Sequence, residues 1–310
     1  MKSEKITIGA GSRYPLDGLL ILPDDLARPV PAVVFVHGSG SSNMDEKVRK
    51  LTPFKDLAEG LAAHGIASVR YDKRSFAHPW KLLRDKSRPL TVKEETIEDA
   101  ILATELLKAD PRIDRENIFI IGHSMGGMLA PRIDAEGGNY RGLVLLAGTP
   151  HKLEAVMLRQ NRELATEMPL LRPLLEKQTA KLEKSFDGMY QLTDAEALKR
   201  KIGGGTTVYY FKEMGEHPVE NYLRELEKPL LILQGEKDVQ VRPDIDFAAY
   251  QELLKDRTNV TFRLYEGLNH AFVPAVCSKI SKVMKEFSKE QHIGADVIGD
   301  IANWITENCR

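Results

Sequence analysis

The chain has 310 residues, more than one ordinary domain needs and fewer than two generous ones would take, so one large core carrying an insertion is expected. With 44 basic against 45 acidic residues, its formal net charge of −1 supplies no global field to recruit nucleic acid or an anionic membrane. The 42% apolar and 29% charged composition is that of a globular protein, and no window approaches the roughly 18 uninterrupted apolar residues of a membrane span.

In chain order, the opening "KITIGA" alternates, "LDGLLILP" is short and apolar, and "PAVVFVHG" is a β-branched run ending in glycine. These predict three strands, the first two so close in sequence that they should pair antiparallel at one edge. "TPFKDLAEGLAAHG" predicts a helix starting at Thr52 or Pro53 and stopped by Gly65. "IASVRYD" predicts a fourth strand. "TVKEETIEDAILATELLKAD" predicts a helix ending before Pro111, with Ile97, Ile101, Leu102 and Leu106 on its apolar face. "NIFIIG", "MGGMLAPRIDA" and "RGLVLLAG" then give strand, helix, strand. After a break, "KPLLILQG", "DIDFAAYQELLKD", "VTFRLYEG" and "ADVIGDIANWITEN" resume the alternation. The expected architecture is α/β: one mostly parallel sheet of about eight strands with helices on both faces.

The break, residues 148–228, shows no strand pattern. Leu153, Val156, Met157, Leu164, Met168, Leu171, Leu174 and Leu175 recur there at helical intervals. So long a stretch is not expected to be bare loop, and it reads as a helical cap inserted after strand six, with "GGG" at 203–205 as a joint. The expected organisation is core 1–147, cap 148–228 and core 229–310.

The chemistry concentrates in "IIGHSMGG". Gly-x-Ser-x-Gly between a strand and a helix describes a nucleophile elbow. The turn is tight enough to strain the backbone of Ser124, and Gly122 and Gly126 give it room, with Gly127 adding more. The hydroxyl is then held above the sheet at the positive end of a helix. A serine needs a base oriented by an acid, and in this architecture both should follow later strands, acid first. Asp238 in "LLILQGEKDVQV" and His270 in "VTFRLYEGLNHAF" satisfy the order. His292, beyond a charged stretch, is the one rival base. Asp244 and Asp246 read instead as the start of the next helix. For the oxyanion, the amide of Met125 follows the nucleophile. A second donor is expected from the glycine-rich "FVHGSGSSN", where the amide of Ser39 is the choice.

Together "HGSG", "YDKR", "GHSMGG", "GEKD" and "GLNH" resemble the α/β-hydrolase superfamily, and more narrowly the bacterial carboxylesterases of the dienelactone-hydrolase-like group that carry a helical cap. The likeness covers nearly the whole chain. It implies Ser124, Asp238 and His270 as a catalytic triad and Ser39 and Met125 as oxyanion positions. Residues 276–295, between His270 and the last helix, depart from the family's pattern.

No complete nucleotide fingerprint, Walker loop, His-Glu-x-x-His or Cys-x-x-Cys is present, so neither cofactor nor metal is expected. "MKSEKITIGAG" lacks the apolar centre of a signal peptide, and Cys277 and Cys309 have no motif around them. A cytoplasmic protein with free thiols is expected, monomeric or homodimeric, with no nucleic-acid or membrane partner. The basic run 73–93 follows strand four and reads either as a loop with structural ion pairs at Asp72 and Arg74 or as a rim selecting anionic substrates. The function expected is a serine carboxylesterase for short- to medium-chain esters, with Met157, Met168, Met189 and the tyrosine-rich run 209–211 as an apolar cap wall. A thioesterase or acyltransferase would use the same triad; a serine peptidase and a non-catalytic binding module are the remaining alternatives.

Overall fold

The structure is a computed structural model describing residues 1–85, 87–203 and 205–310. Lys86 of the basic run and Gly204 of the expected joint lie outside the described residues. The strands are β1 (Lys2–Ile8), β2 (Leu16–Leu22), β3 (Val30–Val36), β4 (Ala67–Tyr71), β5 (Ile113–His123), β6 (Leu143–Leu146), β7 (Lys201–Gly203), β8 (Thr206–Thr207), β9 (Leu230–Gly235) and β10 (Val260–Tyr265). Eight of them form one sheet in the order β1-β2-β4-β3-β5-β6-β9-β10. β2 is antiparallel to both β1 and β4, and every other pairing is parallel.

The period-2 alternation of a strand sends neighbouring side chains to opposite faces. Val34, Val36, Ile118, Ile120 and Leu145 therefore join one buried cluster, and Val33, Phe35, Phe119, Ile121 and Val144 join the other. Each such aliphatic side chain, fully buried, contributes about 1.5–3 kcal/mol, which is why the central strands read as unbroken apolar runs.

The helix Pro53–Ala63 begins after Thr52 with Pro53 in its first turn, and the chain leaves through Gly65 at φ +79°. The helix Glu98–Ala109 corrects an expectation. Its buried face is Ala100, Ala103, Thr104 and Leu107, while Leu102 stays 39% exposed and Ile101 and Leu106 are only partly covered. The two alanines let the helix backbone lie close to the sheet, so the larger aliphatics flank the contact instead of making it. Ile97, in the π-helical turn just before, is fully buried as expected.

Between β6 and β9 run the helices Leu153–Glu167, Arg172–Phe186, Asp194–Lys199, Val208–Glu216 and Val219–Glu225. The segment is not wholly helical: β7 and β8 form an antiparallel pair, with Gly203 at φ +154° and Gly205 at φ +87° beside the turn. Strands this short present no alternation for a sequence pattern to reveal. Phe186, Val208, Phe211 and Met214 of this segment share one buried cluster with Met125, Met128 and Leu129 of the helix Met125–Ile133. Among the described residues no helix is long and apolar enough to cross a membrane.

Candidate active site

Ser124 sits between β5 and the helix Met125–Ile133 with φ +53° and ψ −118°, a conformation L-residues rarely adopt. Its amide is tied to the Leu146 carbonyl of the neighbouring strand at 2.8 Å. The flanking glycines are sterically required. A Cβ at Gly122 would stand 2.2 Å from the Gly126 carbonyl oxygen, and one at Gly126 would stand 2.1 Å from that of Val36. At Gly127 the closest approach would be 3.2 Å, a milder demand.

Asp238 and His270 are brought together by two loops at the ends of β9 and β10. Gly235 allows them to meet, since a Cβ there would press on the Leu268 and Asn269 carbonyls at 2.5 Å. His270 Nδ1 lies 2.6 Å from Asp238 Oδ2. Gln234 Nε2 donates to the same oxygen at 2.9 Å, and the amides of Gln240 and Val241 donate to Oδ1 at 2.8 and 3.0 Å. The buried carboxylate is thus fully engaged, and its orientation is fixed. His270 rides on a turn organised by Asn269, whose Oδ1 accepts the amide of Ala271 and whose Nδ2 donates to Glu286 at 2.6 Å. Residues 276–295, the departure from the family pattern, therefore supply an anchor for the histidine loop as well as rim residues. His292 is exposed and pairs with Asp56 at 3.0 Å, and Asp246 is committed to Thr149 and Arg159.

Ser124 and His270 line the same cavity of about 180 Å³, on whose wall Met284 and Phe287 also lie. No hydrogen bond joins the two side chains in this conformation. Ser124 borders a second cavity of about 330 Å³ together with Ser39 and Met125. Of the residues expected to form an apolar wall there, Met157, Tyr210 and Phe211 line it. Met168, Met189 and Tyr209 do not, and Met189 is buried in the main core cluster.

The loop carrying Ser39 is gripped from both sides. Glu46 Oε1 accepts the Gly38 amide at 2.7 Å, while Glu46 Oε2 lies 2.9 Å from His123 Nδ1. The other nitrogen of His123 faces the main-chain carbonyl of His270 at 2.9 Å. Burial disfavours charge on His123, but the adjoining Glu46 carboxylate outweighs it and raises the imidazole above its ordinary value. Opposite them, Lys73 Nζ donates to the carbonyls of Gly38 and Gly40, each at 3.0 Å. The sequence reading placed Lys73 only in the basic run and Asn269 only within "GLNH", and it passed over Glu46; that Glu46 and Lys73 hold the glycine-rich loop, and Asn269 the histidine turn, shows only in the folded contacts.

The basic run is largely consumed internally. Arg74 pairs with Asp99 and Glu98, Arg88 with Glu98, and Lys93 with Glu136, while Lys81 donates to the Arg13 carbonyl. Asp72 accepts the Met44 amide and forms no ion pair among the described residues. The structural version of that loop accounts for these contacts.

Residues 33–276 match the alpha/beta hydrolase family. Esterase EstD of Thermotoga maritima is 33% identical over 294 residues, which cover 94% of this chain and 66% of that protein, so the chain spans just under two thirds of its relative's length. Among solved structures, the Pyrococcus furiosus esterase Pf2001 superposes with a TM-score of 0.61 at 17% identity, covering all of this chain and 92% of the other. A dienelactone hydrolase from Anabaena variabilis superposes with a TM-score of 0.53 at 16% identity, covering 100% and 99%.

Proposed function

The chain belongs to the alpha/beta hydrolase family, and from that premise we propose that it is a serine carboxylesterase acting on esters of short- to medium-chain acids. The observation that carries this reading is that a strained serine and a histidine paired with Asp238 line one cavity. The esterase relative and the esterase structural neighbours point the same way.

Ser124 attacks the ester carbonyl as His270 accepts its proton. Asp238, bonded to Nδ1, keeps the other ring nitrogen free to act as base and stabilises the imidazolium that forms. Serine–imidazole contacts are often loose without substrate and tighten in the complex. The tetrahedral oxyanion is held by the amides of Ser39 and Met125, which border the larger cavity with Ser124. His270 returns the proton to the leaving alcohol, and water then releases the acyl group by the same route. Residues 148–228 act as a cap over this site, with Met157, Tyr210 and Phe211 supplying apolar contact to the substrate.

The test is a panel of p-nitrophenyl esters, acyl-CoAs and aminoacyl anilides, with Ser124→Ala beside the wild type. Ester cleavage lost in the variant is expected. Full activity in Ser124→Ala removes the serine from the mechanism, and reaction of acyl-CoA alone makes the protein a thioesterase.

A further inference from the structure

Lys73 is only 1% exposed, although lysine is among the residues least often fully buried. Its ammonium has three protons and three neighbours: the Gly38 carbonyl at 3.0 Å, the Gly40 carbonyl at 3.0 Å and Glu95 Oε1 at 3.5 Å. The two carbonyls bracket Ser39. The first belongs to the same peptide unit as the Ser39 amide.

We propose that Lys73 is a positioning residue for ester hydrolysis, holding the Ser39 amide in place and strengthening it as an oxyanion donor. This rests on the serine-esterase reading above. A cation bonded to a peptide carbonyl draws electron density from the amide at the other end of that unit, so the N–H becomes a stronger donor. The buried charge also stands on the far side of that peptide from the oxyanion, with little water between to screen its field. Pinning a glycine-rich loop could be done by a neutral donor without the desolvation that a buried ammonium incurs. The charge is explained by the negative charge that develops across the peptide from it.

The device reaches into the inserted segment. Glu95 Oε2 accepts the hydroxyl of Tyr210 at 2.7 Å, and Tyr210 belongs to the helix Val208–Glu216. The same hydroxyl lies 3.9 Å from the sulfur of Met125, the second oxyanion residue. One tyrosine of the insert thus touches both oxyanion positions, one through Glu95 and Lys73 and the other directly. Movement of the insert would therefore be felt at the oxyanion site without contact to the substrate.

The test compares Lys73→Met, Lys73→Gln and Lys73→Arg with the wild type for kcat, KM, thermal midpoint and inhibition by an alkyl boronic acid, which forms a tetrahedral anion on the serine. Lys73→Met should lose about 10- to 100-fold in kcat with KM changed less than about threefold, because the oxyanion is present only in the transition state. Boronate affinity should fall by the same factor, Lys73→Gln should behave like the Met variant, and Lys73→Arg should recover part of the loss. Folded Lys73→Met with kcat near wild type overturns the proposal, as does a fall in kcat without a matching fall in boronate affinity.

Should Lys73→Met not fold, Glu95→Gln serves instead. It removes the carboxylate that Lys73 contacts, leaving Glu46 and Asp99 at longer range and His37 facing the same ammonium. The alkaline limb of its kcat profile should move down by about half a pH unit or more; an unmoved limb overturns the proposal. Ser124→Ala, run alongside, separates the two readings: activity surviving there ends the serine mechanism itself, whereas a boronate effect absent at Lys73 leaves that mechanism standing.

Discussion

The carboxylate of Glu46 reaches Nδ1 of His123 at 2.9 Å while its other oxygen holds the Gly38 amide, so one buried side chain couples the glycine-rich loop to the strand end that carries Ser124. His123 is raised above its ordinary value of 6.5, with burial opposing the shift and Glu46 driving it. Its contribution to stability is complete below pH 6.5 and is lost as pH rises through the folded value. Glu46 is lowered from 4.5: burial works against this, and the adjoining His123 charge prevails. Its contribution is present above pH 4.5 and is lost as pH falls through the folded value. Glu46→Gln should therefore destabilise most between these limits, by about 3 kcal/mol. The gap from wild type should shrink toward pH 9. Urea unfolding at pH 5.5 and pH 9 checks this, and a gap that widens with pH contradicts it.

Asp238 accepts from four donors, and Asp238→Asn cannot satisfy them all. The amide's NH₂ must face a donor, and the imidazole is driven toward the wrong tautomer. A fall in kcat of about 10³–10⁴-fold is expected, with KM changed only severalfold. Steady-state kinetics on a p-nitrophenyl ester with a circular-dichroism control measures it; a loss under tenfold would mean the carboxylate does not set the tautomer.

The glycines of the serine turn should differ in tolerance. Gly122→Ala and Gly126→Ala drive a methyl into backbone at 2.2 and 2.1 Å, where no side chain can yield. Both should cost at least about 3 kcal/mol or prevent folding. Gly127→Ala, at 3.2 Å, should cost about 1 kcal/mol or less. Soluble yield and thermal midpoint of the three variants rank them directly.

The serine turn was legible because its strain is local: the residues that relieve it are sequence neighbours of Ser124. The meeting of Asp238 with His270 was legible because each lies just past a β-rich run, and strand order restricts which acid and base can come together. Glu46, Lys73 and Asn269 carry no such mark, since their roles exist only through contacts with Gly38, Gly40, His123 and Glu286, which are remote in sequence or locally featureless. The helix Glu98–Ala109 misled because large aliphatics outweigh alanines in a periodicity argument, whereas close packing on a sheet selects the alanines. The pair β7–β8 was too short to alternate.

His37, next to the glycine-rich loop, gives the opposite pH signature to His123. It is almost fully buried against the rings of Phe54 and Tyr71, with Nε2 3.1 Å from the Asn43 carbonyl, and burial lowers its pKa from 6.5 to about 4. Above pH 6.5 it is neutral in both folded and unfolded chains and adds no pH dependence. As pH falls from 6.5 toward 4 the unfolded chain takes up a proton that the folded chain refuses, and stability drops by up to roughly 3 kcal/mol. His37→Gln retains a side-chain donor for Asn43 but does not titrate. The stability difference between wild type and variant should therefore narrow by that amount between pH 7 and pH 4, read from urea midpoints. A difference that holds constant across the range would mean that the folded protein protonates His37 as readily as the unfolded chain does, and that the packing of Phe54 and Tyr71 around it admits the charge.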